Sequence, residues 1–364
     1  MKDVILQNSD YRTRREFLKN LTLGTAGLSA GVFSGCSSGL KRAPRLNRAS
    51  KMELGDSRVS LVKGTDRRDM IFETLKPFES HLKEAIKDKQ VIIKINMVSD
   101  GKPLCATPPD AVRGILDFLK PIYDRPVIVA ESSASAKGTY YTFENYGFLP
   151  IVDEYNAKLL ELNTEPSTYH WILDENIFPV QIRIIDTLLD PNNFVISVTR
   201  LKTHNNVVAT LTLKNVVMGS PIKVGSYNDK VKMHGIADWK STTSNKILNH
   251  NIFLMAHHVR PDFSVLDGFE GMEGSGPSNG TPVDHKVALA GPDFVSVDRI
   301  GSELMGIPWE DIGYLQFCAQ AGLGQGDREK INIIGEDPAD HVIKYQLHED
   351  IELQYKWKDL LDLP

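Results

Sequence analysis

The sequence predicts an α/β fold, a largely parallel sheet with helices on both faces. Short β-branched runs such as "QVIIKIN" and "PVIVAES" alternate with amphipathic stretches of helical length, the rhythm of successive β–α–β units. These runs are continuously apolar, as strands covered on both faces are. Several of them end in polar residues, and in open α/β sheets ligands gather beyond the carboxyl ends of the strands, so the site is expected there.

In chain order, "VSLVKG" opens the folded part as a strand, and "DMIFETLKPFESHLKEAIKD" reads as one helix. "QVIIKIN" is a buried strand, "TPPDAVRGILDFLKPI" a helix with prolines at its start, and "PVIVAES" the next strand. The same alternation continues through "FENYGFLPIVDEYN", "AKLLELN", "NFVISV", "FSVLDG" and "KVALAG", and "GPDFVSVDRIGSELMGI" reads as a helix with Asp298 inside it. No internal repeat breaks this pattern. The folded part is expected as a single domain over 57–364.

Residues 1–36 read as a leader. Arg14 and Arg15, followed by Phe17, Leu18 and Lys19, match the twin-arginine export signal, and a weakly apolar, glycine-rich segment too short to span a bilayer follows. The leader ends in "VFSGC", close to a lipobox, which makes Cys36 a candidate for lipidation; Phe33 stands where leucine is usual, and ordinary cleavage nearby is the alternative. Residues 37–56, rich in Ser, Gly, Lys and Arg, read as a flexible tether. The expected partners are therefore the twin-arginine export machinery and a membrane reached through a lipid anchor. The expected location is the cell envelope, either membrane-anchored or periplasmic.

Composition narrows the function classes. With 41% apolar and 24% charged residues the chain is ordinary globular material, and a net charge of −5 supplies no basic face for nucleic acid. Cys36, Cys105 and Cys318 share no ligand spacing, which argues against an iron–sulfur cluster. The sequence has neither a GxxxxGK[ST] loop nor a GxGxxG turn after a strand, so a dinucleotide cofactor is unsupported. "ESSASAKG" lacks the GxSxG elbow of many hydrolases.

Chemistry concentrates in "TRLKTHNNVVATLTLKN". Lys202 and His204 stand two apart just past a buried, strand-like run, so they face one side; Lys214 and Asn215 follow an alternating stretch, and His234 sits in "KMHG". A buried lysine costs several kcal/mol unless it is paired or neutral. These lysines therefore either snorkel to solvent or meet an anion, and the histidines are either hydrogen-bonded in the core or functional. Lys94 and Asn96, Glu131 and Ser132, Lys202 and His204, and Asp267 mark four polar strand ends. In "DGFEGMEGSGPSNGTP", Asp267, Glu270 and Glu273 at spacings of three in a glycine-rich loop could hold a divalent cation, supply a base or form a solvated turn.

Taken together, "IKIN", "TPPDAV", "VIVAES", "RLKTHNNVVATLTLKNVVMG", "MHG", "RPDFSVLDGFEGMEGSGPSNGTP" and "LAGPDFVSVDRIGSELMGI" resemble the domain-of-unknown-function family 362 over most of the folded part. The resemblance implies a shared site built from Lys202, His204, Lys214, Asn215, His234, Asp267, Glu273 and Asp298, and it names no reaction. Many relatives add a ferredoxin-like segment; this chain ends in "WKDLLDLP", and no iron–sulfur cofactor is expected. The reading that results is an anion-binding cleft formed by Lys94, Asn96, Lys202 and Lys214. Lys202, His204, Lys214 and Asn215 are the catalytic candidates, and His204, His234, Asp267, Glu273 and Asp298 the ligands of a divalent metal. An enzyme acting on a small anionic substrate and a non-catalytic binding protein both satisfy this pattern.

Overall fold

The computed structural model describes residues 55–225, 227–235 and 242–359. Arg14, Arg15, Cys36 and nearly all of the tether lie outside them. The described chain begins with β1 (Ser57–Lys63), α1 (Arg67–Leu75), α2 (Glu79–Ile86), β2 (Gln90–Lys94), α3 (Pro109–Leu119) and β3 (Val127–Glu131). It continues through α4 (Thr139–Asn145), α5 (Pro150–Glu154), β4 (Ala157–Glu161), β5 (Ser167–Leu173), β6 (Pro179–Ile185), α6 (Asp186–Leu189) and β7 (Asn193–Thr203). Next come β8 (Ala209–Thr210), α7 (Thr212–Gly219), β9 (Lys223–Val224), β10 (Tyr227–Asn228), α8 (Asp229–Lys232) and α9 (Thr242–Ala256). The last elements are β11 (Phe263–Glu273), β12 (Thr281–Gly291), α10 (Phe294–Leu304), α11 (Gly313–Gln320), β13 (Ile331–Gly335) and α12 (Ile351–Tyr355).

One mixed sheet organises these elements in the order β13-β1-β12-β11-β7-β2-β3-β4, with the short β8 attached to β7. All pairings along this path are parallel except the two made by β12. The hairpins β5–β6 and β9–β10 stand apart from it. Side chains alternate across the sheet as the period of two requires. On β2, Val91 and Ile93 face a core shared with α1, α2 and α3, while Ile92 faces a second core shared with α7, α9, α10 and α11. Helices therefore cover both faces, which is why the central strands carry uninterrupted apolar runs.

The order also fixes where a ligand can enter. From β2 the chain moves outward to β3 and β4, then returns to place β7 on the other side of β2. Strand order reverses between β2 and β7, and at such a switch point the connections leave in opposite directions and open a crevice beyond the carboxyl ends.

Three local expectations are corrected. The stretch read as one helix is broken: α1 ends at Leu75, a 3₁₀ turn spans Lys76–Phe78, and α2 starts at Glu79. Pro77 cannot donate the helical hydrogen bond and crowds the preceding turn. The alternation in "VATLTLKN" does not extend a strand, because only Ala209–Thr210 pair with β7 before the chain turns into α7. Lys214 and Asn215 are thus helical. The supposed acidic loop is largely strand, since β11 runs on to Glu273 and pairs with β12 from Thr281.

Candidate functional site at the strand ends

The crevice at the switch point is a cavity of about 730 Å³. Its wall includes Lys94 and Asn96 at the end of β2, Glu131 and Ser132 at the end of β3, His204 after β7, Lys214 and Asn215 on α7, and Lys230 and His234 around α8. Residues 275–279 and 348–350 form its rim. The volume lies within the range of small-molecule sites.

Its floor is a closed polar network. Lys94 Nζ donates to Glu131 Oε1 at 2.7 Å, to the Ile95 carbonyl at 2.5 Å and to Asn215 Oδ1 at 3.3 Å. Glu131 also accepts from the backbone N–H groups of Met97 and Ser132. Asn96 Nδ2 donates to Asn215 Oδ1 at 3.0 Å, and Asn215 Nδ2 returns to the Lys94 carbonyl at 3.0 Å. Lys202 Nζ donates to Asn96 Oδ1 and to the Cys105 carbonyl. A buried ion pair is tolerated when the remaining donors and acceptors are met, and here they are. Gly219 makes room for it, because a Cβ there would strike Lys94 Cε.

Lys202 therefore does not reach the ligand space. It is fully buried beneath the cavity, where burial pushes its amine down to about 8, and its two acceptors give it a bracing role between β7 and Asn96.

Lys214 behaves differently. It lines the cavity, is 6% exposed, and has no hydrogen-bond or ion-pair partner among the described residues. Burial, with a further push from Lys202, takes its amine down to about 7. Lys230, absent from the candidates read from sequence, is also brought in. Asp229 is fixed by the Arg183 backbone N–H at 2.9 Å and the Arg183 guanidinium at 3.0 Å, and the next residue, Lys230, donates to Ser132 Oγ at 2.9 Å and the Met218 carbonyl at 3.0 Å. Burial pushes Lys230 down to about 7. Its position four residues before His234 was the available signal, since that spacing places both near one helical turn.

Both histidines are held toward the neutral form. Burial and then Lys214 hold His204 well below the ordinary imidazole range, and the same two causes, in the same order, push His234 down to about 4. The backbone N–H of Asn206 donates to His204 Nδ1 at 3.0 Å, which leaves the imidazole proton on Nε2. His204 is in this way fixed as a hydrogen-bond donor. His234 Nδ1 and Thr210 Oγ1 are buried on the cavity wall without a hydrogen-bond partner among the described residues, so both can meet a bound molecule.

The expected metal ligands do not converge. Asp267 is fully buried but pairs with Arg67 at 3.0 Å. Glu273 accepts from the Gln346 backbone N–H at 2.7 Å. Asp298 caps α7, accepting from the backbone N–H groups of Thr212 at 2.8 Å and Leu213 at 3.0 Å and from the Thr212 hydroxyl at 2.6 Å. None of the three lines the cavity. Each of these carboxylates has a structural partner and lies off the cavity wall, so the five residues do not come together as one ligand cluster. Among the described residues the metal-capable cluster is a different one, His348, Glu349 and Asp350, with ligating atoms within 4.8 Å of one another at the cavity rim.

Residues 91–303, more than half of the chain, match the family model described as a domain of unknown function, DUF362. The chain belongs to this family. It is also similar to the thylakoid-associated protein sll1697 of Synechocystis, with 25% identity over 220 residues, which are 59% of this chain and 63% of the relative. The chain thus spans under two thirds of that relative's length. A Thermotoga maritima protein solved by crystallography overlaps 72% of this chain and 60% of its own, with a TM-score of 0.40 and 12% identity. For this DUF362 member, the match takes in the elements that form the cavity floor, the end of β2, β3, β7 and α7. The rim residues His348, Glu349 and Asp350 lie beyond it.

Proposed function

We propose that this DUF362 protein binds a small anionic molecule in the strand-end cavity. The observation that carries the reading is the pair of buried lysines on the inner wall, with the acidic Glu349 and Asp350 confined to the rim. Lys214 and Lys230 face the space, whereas Glu131, the carboxylate of its floor, is already committed to Lys94. Neutral His204 adds an Nε2–H donor. Anion binding would restore a proton to each lysine, because a negative charge within about 4–6 Å favours the ammonium form.

Calorimetry with small carboxylates and phosphate esters, repeated at pH 8 in buffers of different ionisation enthalpy, tests this. Saturable binding with proton uptake is expected, weakened at least tenfold in Lys230→Met. No binding across the panel, or binding without proton uptake, would sink the reading. Turnover of the bound anion would make the protein an enzyme; capture and transfer would make it a binding protein. The lysine amine that burial holds near 7 favours the first.

The proposed location is the cell envelope, by export through the twin-arginine signal at Arg14 and Arg15 and attachment through a lipid on Cys36. No helix among the described residues is long and apolar enough to cross a membrane. The Synechocystis relative is described as thylakoid-associated, which is compatible with a membrane-side location. Labelled palmitate should enter the wild-type chain and not Cys36→Ser; equal labelling of both would remove the anchor.

A further inference from the structure

Four lysines surround the carboxyl ends of β2, β3 and β7, and their hydrogen bonding separates them. Lys94 has three acceptors, Lys202 two and Lys230 two. Lys214 has none among the described residues, although it is buried and on the wall of the cavity. Burial disfavours an ammonium group in that position, and no acceptor among the described residues offsets the cost, so the amine loses its proton more readily than a free lysine does. The free amine has a lone pair, and an unprotonated lysine on a cavity wall can act as a nucleophile.

We propose that Lys214 condenses with the carbonyl group of a small oxo-acid to form an imine. This rests on the anion-binding reading above and names the class of ligand. Lys230, which keeps its two acceptors when protonated, supplies the counter-charge for the carboxylate. His204 Nε2–H is the donor for the carbonyl oxygen as negative charge develops on it. Lys214, His204 and His234 line the same cavity.

The step balances without an oxidant or reductant. Nζ attacks the carbonyl carbon, the π pair moves to oxygen, and the two hydrogens of the amine leave with that oxygen as water when the C=N bond forms. One further proton, from solvent, gives the iminium ion, and Lys230 keeps its own. Its formation draws electrons from the neighbouring carbon, the usual preparation for cleavage or proton abstraction at that position.

The test uses the full chain with glyoxylate, pyruvate and 2-oxoglutarate in turn, each with cyanoborohydride, which reduces an iminium and spares the free carbonyl. Peptide mapping should place the mass increment on Lys214 at least tenfold faster than on any surface lysine. Excess inorganic phosphate should slow the labelling, as should Lys230→Met. Labelling spread evenly over surface lysines, or none at Lys214, overturns the proposal, and because the mapping is done on the wild-type chain no variant has to fold for it to count. Calorimetric binding of these oxo-acids without an adduct at Lys214 ends the imine and leaves the anion-binding reading intact. Absence of both heat and adduct, with phosphate esters also failing to bind, ends both.

Discussion

At the scale of the residue, the site is decided by which polar groups are left over. Lys94, Asn96, Lys202 and Asn215 satisfy one another and Glu131, so the candidates that looked most chemical in the sequence are mostly bracing. Lys214 is the exception, and it makes a prediction of opposite signs for stability and function. Replacing it by methionine keeps the shape of the side chain and removes an amine that burial and Lys202 push down to about 7, a cost of about a few kcal/mol. Lys214→Met should therefore unfold at a higher denaturant concentration than the wild type while losing anion binding. If the variant is less stable by more than about 1 kcal/mol, the amine has a structural partner and the assignment fails.

At the scale of the element, α7 delivers Lys214 and Asn215 to the cavity, and its start is held by Asp298 on α10 rather than by its own cap. Burial pushes that carboxyl up to about 7, with the Thr212 hydroxyl and the two backbone donors pulling the other way. Asp298→Ala would leave the N–H groups of Thr212 and Leu213 buried without an acceptor, at about 2–4 kcal/mol, and loosen the helix that aims Lys214. Urea unfolding should show that loss together with weaker anion binding. A loss under about 0.5 kcal/mol would mean that α7 does not depend on this cap. The position of Asp298 inside a helix was legible in the sequence, but its role was not: the spacing in "FVSVDRIG" gives the face it occupies and says nothing of the helix end that lies against that face. The same limit explains Asp267 and Glu273, whose partners Arg67 and Gln346 are far away in the chain. The strands, by contrast, were readable because burial on both faces writes a continuous apolar run into each.

At the scale of the whole molecule, the α/β class followed from the apolar runs, and of the four polar strand ends expected to converge those of β2, β3 and β7 reach the cavity while Asp267 on β11 does not; the switch point between β2 and β7 was not legible, because strand order depends on long-range pairing. What the fold assembles there is a concentration of buried amines, and this gives the whole protein a pH signature. Lys214 and Lys230 sit near 7 and Lys202 near 8 in the folded state, against 10.5 when free. Between those values the unfolded chain holds more protons than the folded one, so stability rises with pH across the window. Each lysine contributes at most about 1.4 kcal/mol per pH unit. The cost is fully present below pH 7, and from pH 9 the buried Cys318 thiol, which burial pushes up from 9.0, begins to act in the opposite direction. Melting temperatures of the ligand-free protein should therefore climb from pH 7 to 9, with a shallower slope in Lys214→Met. A saturating anion should flatten the same slope in the wild type, because it restores the proton that folding had removed. A melting temperature that stays level or falls over this interval would show that the amines are charged and paired in the native state, and that the cavity is not built around their neutral form.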